Sequence, residues 1–168
     1  EKLGMAAVLN ADSYLNQPDF RSSEKTFQEI SAIADKIKPD GRLFVQTRMP
    51  QNFVFKFVRS QDYAGFCEEE LAMRKAMSYP PYSKLAVITL KGKDYDEGRV
   101  KSVVKKICDS NESIEILGPS FSLTKKGQKE YTLLLKTSSG KRLHSAVREF
   151  LKDFESYKDL KISVAIDA

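Results

Sequence analysis

The sequence predicts mixed α/β and α+β structure, in which a βαβ unit of a parallel sheet is followed by a βαββαβ domain. Two observations predict this division. Two adjacent prolines, Pro80 and Pro81, separate a helical pattern from a strand pattern. The net charge of +5 also lies entirely after this point, because residues 1–79 contain 11 Lys and Arg against 11 Asp and Glu, whereas residues 80–168 contain 17 against 12. A length of 168 residues allows one domain or two small ones.

The first part has the pattern of a strand, a helix and a second strand. Short apolar runs with apolar side chains on both faces are typical of buried parallel strands, and the segment between them has apolar residues at helical spacing. Such a unit needs neighbouring strands, which this chain does not visibly supply. The expected elements are a buried strand at residues 5–9, a helix from Pro18, a turn at Asp40-Gly41, a strand at 43–45, and helices at 51–60 and 62–77.

The double proline predicts a rigid joint between the two parts. Proline fixes φ, removes an N–H donor and disfavours helical geometry in the residue before it. Tyr79 and Pro80 are therefore expected to be extended, and a turn is not expected because neither glycine nor asparagine is present there. The resulting division is residues 1–60, a helical linker at 61–81, and a domain at 82–168.

The second part has a complete βαββαβ pattern, which is the ferredoxin-like order. In this arrangement the two helices cover one face of the sheet and leave the other face available. Ser139 is expected to cap the second helix, whose core face would be Leu143, Ala146, Val147, Phe150 and Leu151. The expected elements are strands at 85–90, 114–117 (closed by Gly118-Pro119), 131–136 and 162–166, and helices at 95–108 and from Ser139.

The sequence lacks the residues that several kinds of functional site require. There is no glycine-rich phosphate-binding loop, and His144 is the only histidine, so histidine-based metal clusters and most catalytic triads are excluded. Cys67 and Cys108 lack metal-ligand spacing and are expected to be free thiols in a reducing cytoplasm. No apolar run is long enough to span a membrane. We therefore expect neither a catalytic site nor a metal site in this segment.

Several motifs, in order along the chain, resemble the PriA family of primosomal helicases, also called primosomal protein N′. The N-terminal residues, which look neither like a signal peptide nor like a natural start, then indicate a fragment. The motifs that match are Val8–Asp12, Pro18–Glu24, Gln46-Thr47, Asp62-Tyr63 with Phe66, Glu70-Leu71 and Arg74, Tyr79–Tyr82, and Leu117–Pro119.

The resemblance implies that the first part is a partial RecA-like βαβ unit, the end of the second helicase lobe, and that the double proline joins it to the C-terminal domain. The ATP and Mg²⁺ site and the zinc-binding cysteines would then lie only in an upstream part. Two positions depart from the family. Residues 34–39 replace its A-G-R-A-G-R block, and Glu130 stands where an arginine is usual. Whether the parent is an active ATP-dependent helicase or a degenerate one stays open.

The resemblance and the charge distribution predict a DNA-binding module of replication restart that contacts single-stranded or forked DNA. Lysines can contact phosphates without reading sequence, and an aromatic ring nearby can stack on a base. The candidate DNA-binding residues are Lys101, Lys105, Lys106, Lys125, Lys126, Lys129 and Tyr131.

The family also implies protein partners. Its members are recruited by the acidic, phenylalanine-ended tail of the single-stranded-DNA-binding protein and work with other primosome proteins. The N-terminus of the helix at Ser139-Gly140 could hold a carboxylate, and Lys141, Arg142 and His144 lie in its first turns.

Two alternatives remain open at this point. One is a stand-alone RNA-binding domain of ferredoxin-like fold, although the aromatic RNP pattern does not occur in this sequence. The other is a protein-interaction module with no nucleic-acid role.

Overall fold

A computed structural model describes residues 2–17, 19–92, 97–110, 113–124, 127–157 and 159–167. The chain divides into two compact units, Glu1–Met73 and Arg74–Ala168, and the boundary falls inside a helix, ahead of the double proline. The prediction of mixed α/β structure is confirmed. The narrower assignment of a RecA-like unit and a ferredoxin-like domain stays a prediction, as does the division at residues 60 and 81.

The first unit contains a parallel pair of strands, as the sequence predicts. Ala6 pairs with Leu43, and Val8 with Val45. The expected turn at Asp40-Gly41 is wrong, because both residues belong to the second strand, where the pairing register shifts. The elements are β1 Leu3–Val8, α1 Asp12–Leu15, α2 Ser22–Ala34, β2 Ile37–Val45, α3 Phe53–Ser60 and α4 Tyr63–Ala76, the last of which continues into the second unit.

The expectation that β1 is buried is also wrong. Met5 is 67% exposed, and the side chain of Leu9, just after the strand, is exposed as well. Among the residues that the structure describes, the sheet of this unit has two strands, and no further strand lies beside them. The core of the unit lies instead among the helices, where the ring of Phe66 stacks on that of Phe27 at 4.4 Å between centroids.

The second unit has the element order β, α, β, β, α, β that the sequence predicts. Its four strands are antiparallel, and β3 and β5 lie at the centre of the sheet, flanked by β6 and β4 respectively. The elements are β3 Lys84–Gly92, α5 Glu97–Ser110, β4 Glu115–Leu123, β5 Lys129–Thr137, α6 Gly140–Lys152 and β6 Lys161–Ile166.

The core of the second unit lies between one face of this sheet and the helices α5 and α6. The predicted core face of α6 is confirmed: Leu151 is half-buried, and the other four predicted residues are buried. The expected end of a strand at Gly118-Pro119 is wrong. β4 continues to Leu123 through a register shift between Leu117 and Ser120, and Gly118 has a positive φ of 105°.

The double proline forms a tight turn rather than an extended joint, so that prediction is wrong. The Pro80-Pro81 peptide bond is cis, and the N–H of Tyr82 donates to the carbonyl of Tyr79 at 3.0 Å. A cis proline at the third position of a turn reverses the chain without glycine or asparagine. The hydroxyl of Ser83 donates to the carbonyl of Ser78 at 2.6 Å and holds the base of this turn.

Candidate nucleic-acid interface

Two of the predicted DNA-binding lysines on α5 already have carboxylate partners. Lys101 Nζ lies 2.6 Å from the carboxylate of Glu97, and Lys106 Nζ lies 3.0 Å from Asp153 and 3.6 Å from Glu149. A hydrogen bond to the carboxylate raises the pKa of each lysine, from Glu97 for Lys101 and from Asp153 for Lys106. Their charge is therefore largely compensated within the protein.

The other lysines that were predicted to bind DNA are Lys105 on α5 and three lysines at or before the start of β5. Lys105 is exposed on α5, and no ion pair is described for it. Lys129 is exposed at the start of β5, while Lys125 and Lys126 lie outside the described residues. The assignment of these lysines to DNA therefore stays a prediction.

Tyr131 is a core residue and offers no exposed ring face to a base. It is 3% exposed, and its hydroxyl donates to the carboxylate of Glu97 at 3.3 Å. The exposed ring at this place belongs to Phe121 on the neighbouring strand, which is 54% exposed and lies 5.2 Å from the ring of Tyr131. Sequence reasoning missed Phe121 because it ended the strand at Pro119. The apolar residues Phe121 and Leu123, two apart, were the available signal.

The three predicted partner-binding residues lie in the first turns of α6, and their role stays a prediction. Ser139 caps the helix as expected, with its Oγ accepting from the N–H of Arg142 at 3.5 Å. The guanidinium of Arg142 donates to the hydroxyl of Ser113 at 2.6 Å, while Lys141 and His144 are exposed. A Cβ at Gly140 would meet nothing within 4 Å, so the backbone here is open to a ligand.

A cavity of about 330 Å³ adjoins this helix start. Ser113, the partner of Arg142, lies in its wall, and Tyr82 and Ile114 contribute apolar surface. The amine of Lys136 donates to the carbonyl of Met77 at 3.2 Å and lies 4.4 Å from the ring centroid of Tyr79. The other lining residues are Ser78, Ser83, Glu115, Lys136, Thr137 and Ser138.

The sheet face away from the helices carries three rows of side chains across the strands. The first row is apolar, the second carries hydroxyls, and three of the four side chains in the third are charged. In the third row Lys91 pairs with Glu130 at 2.7 Å, so the carboxylate at position 130 compensates a lysine. The rows are Leu117, Leu134, Val87 and Ala165; then Ser120, Thr132, Thr89 and Ser163; then Ser122, Glu130, Lys91 and Lys161. No aromatic side chain belongs to these rows, which disfavours an RNA-binding domain that stacks bases on its sheet.

Within the described residues, no group of three or more His, Cys, Asp or Glu side chains is placed to hold a metal ion. No helix among them is long and apolar enough to cross a membrane. Cys67 and Cys108 are free thiols.

Comparisons with known proteins find relatives along the whole chain. It is 30% identical over 174 residues to the replication restart protein PriA of Bacillus subtilis, covering 97% of this chain and 21% of that protein. It is 34% identical over 137 residues to the PriA protein of Borreliella burgdorferi, covering 78% of this chain and 21% of that protein. The chain thus spans about a fifth of the length of these relatives. Among solved structures, the de novo designed protein Foldit4 is 15% identical with a TM-score of 0.39, covering 50% of this chain and 94% of that one.

The second unit also matches a family model. Residues 75–168 match the primosomal protein N C-terminal domain, and this range includes every strand and helix from β3 to β6. The family resemblance expected from the motifs is confirmed. This chain belongs to the family of the primosomal protein N C-terminal domain.

Proposed function

We propose that this chain is the C-terminal portion of a primosomal DNA helicase that acts in replication restart in the cytoplasm, and that its second unit binds single-stranded or forked DNA. The observation that carries this proposal is the family match over residues 75–168, together with relatives named as replication restart proteins. The surplus of positive charge after residue 79 supports a polyanionic partner.

The direct test is DNA binding by the purified chain. A labelled 20-nucleotide oligothymidylate is titrated at several salt concentrations and followed by fluorescence anisotropy. If three or four cations contact phosphates, log K should fall with log salt with a slope of about −2 to −3 for a single strand. If the chain did not bind the oligonucleotide at low salt, or if its affinity did not change with salt, the chain would be better explained as a protein-interaction module.

The second proposed partner is the acidic, phenylalanine-ended tail of the single-stranded-DNA-binding protein. Such a tail needs a cation and N–H donors for its carboxylates and an apolar surface for its last side chain. The start of α6 provides Arg142 and an open backbone at Gly140, and the adjoining cavity provides Tyr82 and Ile114.

This partner is tested by titrating a synthetic tail peptide against the chain. Micromolar affinity at best is expected, since an exposed charged contact contributes only about 1 kcal/mol. Arg142→Glu should abolish binding, and removal of the terminal phenylalanine should weaken it. Lys161→Glu, an exposed cation on β6, is the control that should bind as the parent does. Normal binding by Arg142→Glu would place the tail elsewhere.

The ATPase activity of the whole helicase is proposed to require the upstream part, where ATP, Mg²⁺ and zinc are expected to bind. The chain alone should therefore hydrolyse no ATP, with or without DNA. Other primosome proteins are proposed as further partners.

A further inference from the structure

The outer face of α6 carries a row of exposed polar residues, of which only Lys141 belongs to the predicted partner-binding site. Lys141, Ser145, Arg148 and Lys152 recur at intervals of three or four residues, so they share one side of the helix. The buried residues of α6 lie on the opposite side, and all four residues of the row are exposed. We name this row the α6 cationic stripe.

The cations of α6 outnumber the carboxylates of the same helix. α6 contains four cationic side chains and a single carboxylate, Glu149, which lies 3.6 Å from Lys106 of α5. In the part of the chain that the structure describes, no ion pair is seen for Lys141, Arg148 or Lys152. Five other cations of the second unit do have a described carboxylate partner, namely Lys84, Lys91, Arg99, Lys101 and Lys106.

We propose that the α6 cationic stripe binds the phosphate backbone of DNA, an inference that rests on the proposed function and assigns it a surface. The stripe extends from Lys141 to Lys152, which is 12 residues and a rise of about 16 Å along the helix axis. Successive phosphates of one strand in a duplex advance about 3.4 Å along the axis, so the stripe can contact several of them. Cations supply the charge, and the hydroxyl of Ser145 can donate to a phosphate oxygen.

The composition of the stripe favours DNA over an acidic, phenylalanine-ended peptide. Such a peptide needs an apolar slot beside the cations, and the apolar residues of α6 face the core instead. Exposed cations without carboxylate partners are what sequence-independent phosphate binding requires. The stripe also differs from the predicted α5 surface, where Lys101 and Lys106 are already paired.

The test compares two double charge reversals in the whole 168-residue chain. Arg148→Glu with Lys152→Glu changes the stripe. Lys75→Glu with Lys161→Glu makes the same change in net charge at exposed cations outside it. Binding of the labelled oligothymidylate is measured against salt. The stripe variant should bind at least 10-fold more weakly, and its salt slope should flatten by about 1.4, from two lost contacts at about 0.7 each. The control should stay within threefold of the parent.

Further variants separate charge from folding. Arg148→Lys with Lys152→Arg should bind within twofold of the parent, because phosphate contacts of this kind need charge rather than one side chain. Arg148→Gln with Lys152→Gln should weaken binding without any reversed charge. Since these residues are exposed, the thermal unfolding of every variant should match the parent, and a weaker-binding stripe variant that unfolds with the parent supports the inference.

The remaining outcomes contradict it in distinguishable ways. Equal losses in the stripe variant and the control would mean that binding follows net charge alone, and a larger loss in the control would move the surface away from α6. If the stripe variant lost the acidic tail peptide but kept the DNA, the stripe would be a protein-binding surface. In each of these cases the proposed function survives. If the parent failed to bind DNA at low salt, both proposals would fall together.

Discussion

Strands with similar apolar patterns are buried in the second unit of the chain and exposed in the first. In the second unit, apolar residues on β3 and β5 are buried, because each strand has a neighbour on both sides and two helices cover one face. In the first unit, β1 and β2 form a two-stranded sheet on which Leu3, Met5 and Phe44 stay exposed. The difference shows that an apolar strand pattern predicts a strand, whereas its burial depends on the elements around it. It also predicts that the second unit is the more stable one.

The largest expected effect comes from the core of the second unit. Phe150 is fully buried between α6 and the sheet, and Phe150→Ala should lower the free energy of unfolding by about 3–5 kcal/mol, because it removes the ring and leaves a cavity. Urea unfolding measures the loss. Amide hydrogen exchange in β3 and β5 should rise.

The matched substitution in the first unit is Phe66→Ala. Its ring stacks on Phe27 at 4.4 Å and on Phe53 at 5.8 Å, so exchange in α2 and α3 should rise while β3 and β5 stay protected. If either substitution exposed the amides of both units equally, the units would unfold as one, and the comparison would be broken.

The next expected effect concerns the cap of α6. Ser139→Ala removes the hydroxyl that accepts from the N–H of Arg142, and should cost about 1 kcal/mol. Thermal unfolding of the second unit measures it. Ser139→Asp keeps an acceptor and should retain most of the stability. Equal losses in the two variants would show that the cap contributes little.

The stability of the first unit should depend on pH through a buried carboxylate. The buried carboxylate of Asp12 accepts hydrogen bonds from the hydroxyl of Thr47 and the N–H of Arg48, and these, with Thr47 first, hold its pKa below the usual value. Because the pKa of Asp12 is lower in the folded state, its ionised form stabilises the fold. This stabilisation is complete at pH values above the unfolded pKa of about 3.9, and it is lost as the pH falls through the folded pKa.

Asp12→Asn tests this directly. At pH 7 the first unit should be less stable than in the parent, and its stability should depend less on pH between about 4 and 2. Acid titration of hydrogen exchange in α2 measures both. The amides of β3 are the internal control, and an unchanged acid profile in α2 would contradict the role of Asp12.

The smallest expected effect lies on the open face of the second sheet. Lys91 and Glu130 form a partly exposed ion pair, and Glu130→Gln should change the free energy of unfolding by less than about 1 kcal/mol. Chemical unfolding checks it. A larger loss would mean that this face contributes more to stability than its exposure indicates.

Sequence patterns predicted the helices and strands of the second unit, because the spacing of apolar residues and the capping of helices are local properties of the sequence. The helix α6 shows this best, since Ser139 and the apolar spacing after it gave both its start and its buried face. Two of the errors lie where a proline changes the path of the chain. The turn at Pro80-Pro81 needs a cis bond, and β4 passes Gly118-Pro119 by shifting register. Neither feature follows from propensity alone.

The candidate site was harder to predict because charge compensation is mostly a tertiary property. The pair between Lys101 and Glu97 has helical spacing and could have been read from the sequence. The pair between Lys106 and Asp153 joins residues 47 apart and could not. Tyr131 is buried and Phe121 is the exposed ring, contrary to expectation. This depends on how β4 pairs with β5 after the register shift between Leu117 and Ser120.

The irregularity in β4 has a consequence for self-association. β4 is an edge strand, and an edge with a continuous row of free N–H and C=O groups is a template on which another chain can add a strand. Here Pro119 has no N–H to donate, and Gly118 bends the backbone at its side. The edge is thereby split into two short pieces, Glu115 to Leu117 and Ser120 to Leu123. Neither piece alone is long enough to hold an added strand firmly, so this edge resists the growth of intermolecular sheets.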